Sequence, residues 1–222
     1  MNINLFIKDK IVIDSAIFYT LLNRTFSILT AVFTIVFIIR FLSSDQQGYY
    51  YTFGSLVALQ VFFELGLTGI ITQFVAHEAA HLTLSDNGTV EGEYKYKSRL
   101  SSLIHFCAKW YSYISVALLA LLLIAGITFF SHYSKTDGTT NWASPWILLS
   151  VGTVLNFLIT TIVSITEGLG KVKDIAKYRL ILQCFNPIII WGGLACELYL
   201  YVLGIFATFQ ALLMMVMIFN SP

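Results

Sequence analysis

An all-α integral membrane protein is the fold class this sequence predicts, and three observations predict it. Of the 222 residues, 57% are hydrophobic and only 11% charged, where soluble domains carry roughly 25% charged residues. Mean hydropathy is +0.78. The charges are clustered, leaving uncharged runs at Thr25–Ile39, Gln46–Phe63, Trp110–Ser134, Gly138–Thr166, Leu180–Cys196 and Leu198–Pro222. Most of these runs approach the roughly 18–20 residues that cross a hydrocarbon core. A bilayer offers the backbone no water, so such segments cross it as helices.

Residues 3–14 mix apolar and charged positions and read as a short interfacial helix. Spans follow at about 16–41, 47–76, 103–131, 145–167, 177–197 and 200–219, making residues 1–222 a single membrane domain of about six helices. The first span is long enough to cross and lacks a small-residue cleavage site, so it reads as a retained helix. A polar turn, Ser43–Gly48, precedes the second span. The segment Leu82–Arg99 reads as a polar loop with a turn at Ser85-Asp86-Asn87-Gly88. Ser134–Ser144 reads as the opposite loop, and Gly168–Asp174 as a short basic turn. Pro187 is expected to kink the fifth helix.

Charge placement orients the chain. With the N-terminus cytoplasmic, the inner side holds Lys8, Lys10, Lys95, Lys97, Arg99, Lys171, Lys173, Lys177 and Arg179, whereas the outer side holds Arg40 and Lys135. That is the positive-inside pattern. Tyr49, Tyr50, Tyr51, Trp142, Trp146, Tyr199 and Tyr201 then fall at the outer interface, which suits amphipathic rings. Cys107, Cys184 and Cys196 show no metal spacing. Cys184 and Cys196 lie about 18 Å apart along one helix, too far to bridge, so all three read as small core residues. Asn87-Gly88-Thr89 fits a glycosylation acceptor but falls in the inner loop.

Polar residues inside the spans fall on faces. Thr20, Asn23, Ser27, Thr30 and Thr34 share an arc of about 80° on the first helix. Thr153, Asn156, Thr160, Ser164 and Glu167 do the same on the fourth. On the fifth, Arg179, Gln183, Asn186, Gly193 and Glu197 share one side. Gln60, Glu64 and Thr68 stack on the second, as do His105, Lys109 and Ser112 on the third. Such residues serve helix association in many membrane proteins. Stripes on five helices, together with Arg24, Glu64 and Lys109, point further, to a hydrated central cavity. An ionisable residue at membrane depth, as Glu64 is, marks function by default.

One motif suggests chemistry. His77-Glu78-Ala79-Ala80-His81 matches H-E-x-x-H, with two imidazoles on one helical face and a Glu as general base. An intramembrane zinc metalloprotease is therefore a second reading. It lacks a third ligand: no Gly–His extension follows, Asp86, Glu91 and Glu93 lie in a polar loop, and Glu167 stands on a distant helix. The bland reading is the polar end of a membrane helix, with no metal. Nucleophilic triads and phosphate-binding Gly loops are absent, and the sparse basic residues do not support nucleic-acid binding.

Asn23-Arg24, then Arg40-Phe41-Leu42, a polar turn ending in Gly48, Glu64-Leu65-Gly66-Leu67 and Gln73-Phe74-Val75-Ala76 carry a family resemblance. Over about residues 15–80 the chain resembles the N-terminal half of Wzx-type polysaccharide (O-antigen) flippases, of the multidrug/oligosaccharidyl-lipid/polysaccharide exporter superfamily. Such proteins often have Asp where Glu64 stands. The resemblance implies a non-enzymatic transporter of the bacterial cytoplasmic membrane. It would flip a polyprenyl-pyrophosphate-linked oligosaccharide by alternating access, with no bound cofactor. Its cavity residues would be Asn23, Arg24, Gln60, Glu64, Lys109, Asn156, Arg179, Gln183 and Asn186. Arg24, Lys109 and Arg179 would attract the anionic head, and Glu64 would either couple transport to protons or sodium ions or pair with a base. A drug exporter of the same superfamily remains an alternative, because fold does not fix substrate. So does a membrane protein that transports nothing. The family has about twelve or more spans in two six-helix bundles, so this chain reads as a truncated product, or as one bundle that needs a second bundle or polysaccharide-assembly proteins.

Overall fold

The computed structural model describes residues 3–64, 66–84, 90–137 and 140–220. Eight helices form it: α1 (Ile3–Phe41), α2 (Ser44–Val57), α3 (Gln60–Glu64), α4 (Leu67–Ala79), α5 (Tyr94–Asp137), α6 (Ala143–Gly168), α7 (Val172–Ala195) and α8 (Tyr201–Phe219). A two-stranded antiparallel hairpin, β1 (Leu82–Leu84) with β2 (Val90–Gly92), joins α4 to α5 and pairs Thr83 with Glu91. Among the described residues, five segments are long and apolar enough to cross a membrane: Ser15–Phe41, Ser44–Ala79, Tyr94–His132, Ala143–Gly168 and Tyr201–Phe219. The fold is thus that of an all-α, multi-pass membrane protein.

The fourth and sixth expected spans match α6 and α8 within two residues. Elsewhere the structure corrects the sequence reading. The expected interfacial helix at 3–14 is continuous with the first span in α1. The expected third span, 103–131, extends to 44 residues in α5 and takes in the start of the loop expected at 134–144. The loop expected at 82–99 contains the hairpin and the first turn of α5; its turn at Ser85–Gly88 and the acceptor Asn87 lie outside the described residues. The fifth span starts earlier than 177, and α7 runs through Pro187 to Ala195, leaving Glu197 beyond it at φ 58°. Gln183, Asn186 and the charged first half of α7 dilute its hydropathy, so it is not among the five apolar spans.

The largest correction concerns the second span. The expected continuous helix 47–76 is three helices, interrupted at Ala58–Leu59 and again before Leu67. Ser43 caps α2: its hydroxyl accepts from the Gln46 N–H, while the Gln46 side chain accepts from the Ser43 N–H. Gly66, at φ 72°, supplies the left-handed residue before α4. Gln60 and Glu64 therefore sit on α3, while Thr68 belongs to the separate α4.

Cross-helix contacts fix the relative directions. Thr30 meets Gln183 and Thr34 meets Trp191, so α1 and α7 run parallel. Gly152 lies against Ala207 and Thr208, and Gly204 against Leu148 and Leu149, so α6 and α8 are parallel. Trp146 meets Leu122 while Phe157 stacks on Tyr111, making α5 antiparallel to α6. Thr72 bonds the Ser164 carbonyl and Gly168 faces Val75, making α4 parallel to α6. The chain consequently alternates in direction, with α7 as the return pass between α6 and α8.

At the end where α2, α5 and α6 meet, Phe53, Phe130 and Trp146 form an aromatic core, with ring centroids 5.0–5.5 Å apart. Trp146 is fully buried and donates its indole N–H to the Leu122 carbonyl at 3.1 Å. Its expected role as an interfacial ring is therefore replaced by a core role. The cysteines divide as well: Cys107 is buried, but Cys184 and Cys196 are exposed rather than core residues.

Gly126 leaves the space that the Trp146 indole fills, since a Cβ there would overlap the ring. Gly126→Ala should lower stability by about 1–3 kcal/mol. Gly192→Ala has nothing within 4 Å of the added methyl and should be neutral or stabilising by up to ~1 kcal/mol. Reversible unfolding of both variants in mixed detergent micelles would measure the contrast.

Candidate functional site

Side chains of α2, α3, α6 and α8 converge on a groove of about 340 Å³. The local chain geometry supplies its polar residues. The break after Val57 brings Gln60 to the first position of α3. On α6, Thr153, Asn156 and Thr160 recur at three- and four-residue intervals, so they line one face. From α8 comes Gln210. Gly54, Leu149, Leu203 and Phe206 complete the wall.

The polar groups differ in how fully they are used. Thr153 and Thr160 donate to the carbonyls of Leu149 and Asn156, their own helix's i−4 positions. Asn156 Nδ2 bonds the Gly152 carbonyl at 2.9 Å and, across the interface, the Ala207 carbonyl of α8 at 2.7 Å. That fixes the amide's orientation. Gln60 Oε1 is buried without a hydrogen-bond partner among the described residues. An unpaired amide oxygen in a low-dielectric setting is costly, so a hydroxyl or water seated in the groove would relieve it. No side chain of the lining is charged. Chemically, the groove can exchange hydrogen bonds with neutral polar matter and offers nothing to a metal or to an acyl-transfer reaction.

Only Gln60 and Asn156 of the nine expected cavity residues meet in this groove. Within this chain the other seven lie outside the groove. Gln183 donates to Thr30 at 3.3 Å, which makes it part of the α1–α7 seam. Asn23 and Asn186 are half-buried, each with an Oδ1 that has no partner among the described residues. Arg179 pairs with Glu167 at 2.9 Å, where α6 and α7 join. Arg24 and Lys109 are exposed, on α1 and α5. Glu64 ends α3 within electrostatic reach of Tyr111 on α5 and does not line the groove. Gln210 was missed by the sequence reading because it stands alone on α8, and a lone amide makes no periodic signal.

The polar stripes therefore divide by role. Thr30 and Thr34 act in helix association: Trp191 donates its indole N–H to Thr34 Oγ1 at 3.0 Å and stacks on Phe37 at 5.0 Å. Ser164 offers its carbonyl to Thr72 of α4. Ser112 and His105 bond back to carbonyls on α5 itself.

At the helix end that bears the H-e-x-x-h pattern, the three residues have separate contacts. His81 stacks on Tyr96 with centroids 4.3 Å apart, and His77 meets His81 edge to face at 5.8 Å. Glu78 faces Arg99 at 4.0 Å. Among the described residues no three His, Cys, Asp or Glu side chains cluster as a metal would need. These contacts link α4 to the start of α5 on either side of the hairpin.

No family model, curated protein or solved structure matches this chain.

The α1–α7 seam can be tested directly. Thr34→Val leaves the Trp191 N–H without its acceptor and should cost about 0.6–1.7 kcal/mol. Trp191→Phe keeps the ring but removes that donor, so the double variant should cost less than the sum of the two singles. A double-mutant cycle on detergent unfolding reads the coupling.

Proposed function

We propose that the chain is one helical bundle of a flippase that moves a polyprenyl-pyrophosphate-linked oligosaccharide across the bacterial cytoplasmic membrane, with its N-terminus in the cytoplasm. The observation that carries this reading is the uncharged polar groove of Gln60, Thr153, Asn156, Thr160 and Gln210. A glycan crossing a bilayer needs partners for many neutral hydroxyls. Primary amides meet that need because each both donates and accepts. A cationic drug would call instead for a carboxylate, and this lining has none.

Position supports the same reading. The groove lies beside the break between α2 and α3, and interrupted helices beside polar cavities are a recurring feature of transporters. Residues of three passes form one wall, which a second six-helix bundle facing it would close. The basic residues Lys97, Arg99, Lys171, Lys173, Lys177 and Arg179 gather at one end of the alternating helices. Under the positive-inside pattern that end is cytoplasmic, where the pyrophosphate would first be met. Glu64, at the end of α3, is then the candidate for proton or sodium coupling.

Binding can be measured apart from turnover, so the test does not depend on a second bundle. The full chain in nanodiscs should bind a polyprenyl-pyrophosphate-linked oligosaccharide more tightly than the same lipid without its glycan. Asn156→Leu and Gln60→Leu should each erase about tenfold of that difference, the worth of one or two lost hydrogen bonds. Equal affinity for the two lipids in the unmodified chain, or no effect of either substitution, would refute the reading.

A further inference from the structure

A second groove opens on a different side of α6. Along α5, Lys97, Ser101, Ile104, Ala108 and Tyr111 follow one another at three- and four-residue spacing, so they line one strip of the helix. The first part of the strip borders a recess of about 350 Å³ that Lys97, Ser101 and His105 line. The second borders a cleft of about 420 Å³ between α5, α6 and α8, walled by apolar side chains such as Leu158 and Met215. Ile104 lines both, so the recess and the cleft adjoin at that side chain and follow one strip of α5. The groove is basic at its mouth and apolar along its length.

Three hydroxyls break the apolar lining, and one of them, Ser112, is spent on the Ala108 carbonyl of its own helix. Tyr111 is 3% exposed and Thr161 4% exposed, and both line the cleft. They face one another closely enough to interact, but neither has a hydrogen-bond partner of good geometry among the described residues, so at most one of the two hydroxyl protons is used within the protein. A buried hydroxyl without a partner is disfavoured, so the site lacks an acceptor that an occupant would bring. At the mouth, neither Lys97 nor His105 forms an ion pair among the described residues. His105 Nδ1 is held by the Ser101 carbonyl at 2.8 Å, which turns Nε2 away from its own helix.

We propose that this groove binds an anionic glycerophospholipid. Its phosphate lies at Lys97 and His105, one acyl chain fills the cleft, and a glycerol ester carbonyl accepts from Tyr111 or Thr161. His105 and Tyr111 are about 9 Å apart along the helix axis, in the order in which a lipid presents phosphate and then ester. The carbonyl requirement separates this occupant from a polyprenyl phosphate, which has the charge and the apolar tail but no ester. Charge separates it from a choline lipid. Anionic lipids and basic residues also favour the same face of the membrane. Two carboxylates flank the path: Glu64 acts on Tyr111, away from the phosphate, and the exposed Glu93 precedes Lys97 by one turn at the mouth. The site is distinct from the Gln60 groove and does not depend on what that groove carries.

Native mass spectrometry of the delipidated full chain provides the test, with phosphatidylglycerol, its ether-linked analogue, phosphatidylcholine and undecaprenyl phosphate each added at the same concentration. Phosphatidylglycerol should bind about tenfold more tightly than phosphatidylcholine, and about fivefold more tightly than the ether analogue. Lys97→Gln with His105→Gln should remove the first preference, and Tyr111→Phe with Thr161→Val the second. Ala108→Phe, at an exposed helix position facing the cleft, should block binding while the helical circular dichroism is retained. Three results would overturn the proposal: equal binding of the choline and glycerol lipids, tighter binding of undecaprenyl phosphate, or undiminished binding in the folded Ala108→Phe variant.

Discussion

Close approach of helix backbones to α6 is the constraint on which the rest of the structure depends. Lipid tails are as apolar as leucine, so burial of hydrophobic surface cannot drive helices together in a bilayer as it does in water. Tight contact must do it, and small residues permit tight contact. A Cβ on Gly152 would lie 2.8 Å from the Ala207 Cβ, and one on Gly204 would lie 2.7 Å from Leu148 Cγ. Gly168 admits Val75 of α4 in the same way, and Gly126 of α5 admits the Trp146 indole. Three neighbours of α6 are thus seated through glycines. More than half of its apolar span is buried, 56%, against 28% or less for the other candidate spans, which marks it as the central element.

This seating determines which polar groups become available. With α8 held against α6, Asn156 reaches the Ala207 carbonyl and its amide is locked. The same approach brings Gln210 to the face where Gln60 emerges from the break in the second pass. On the far side, α5 crosses α6 in the opposite direction and leaves the apolar cleft beneath Tyr111. Two grooves of opposite polarity therefore flank one rigid helix.

Much of this was legible in the sequence, and the failures have physical causes. Spans α6 and α8 were readable to within two residues because their charges fall outside the apolar runs. The α2–α3 break was not, since Val57-Ala58-Leu59-Gln60 contains neither Gly nor Pro. Only Gly66, at φ 72°, left a readable mark of the second interruption. The polar stripes of α1 and α6 lie on unbroken helices as expected, but a stripe does not reveal what it faces. Thr30 and Thr34 are indistinguishable by periodicity from Thr153 and Thr160, yet the first pair joins α7 and the second lines a groove. Likewise, three letters of a zinc signature say nothing about Tyr96 and Arg99, which engage His81 and Glu78 from another helix.

The helix α7 shows how those two levels combine. By hydropathy it is not a membrane span: Arg179, Gln183 and Asn186 interrupt its apolar surface, and Pro187 cannot donate to the Gln183 carbonyl one turn back. It nonetheless runs back along the bundle, because α6 and α8 point in the same direction and are joined by a return pass. The cost of its polar residues is reduced one contact at a time. Glu167 takes Arg179, Thr30 takes Gln183, and Thr34 takes the Trp191 indole. The long exposed helix α1 is what provides the last two of these partners. Its polar stripe thereby gains a structural purpose, as the shield that lets a polar helix stand in an apolar medium. Asn186 Oδ1 remains without a partner among the described residues, so that shielding is incomplete at the position where α7 is also weakened by its proline.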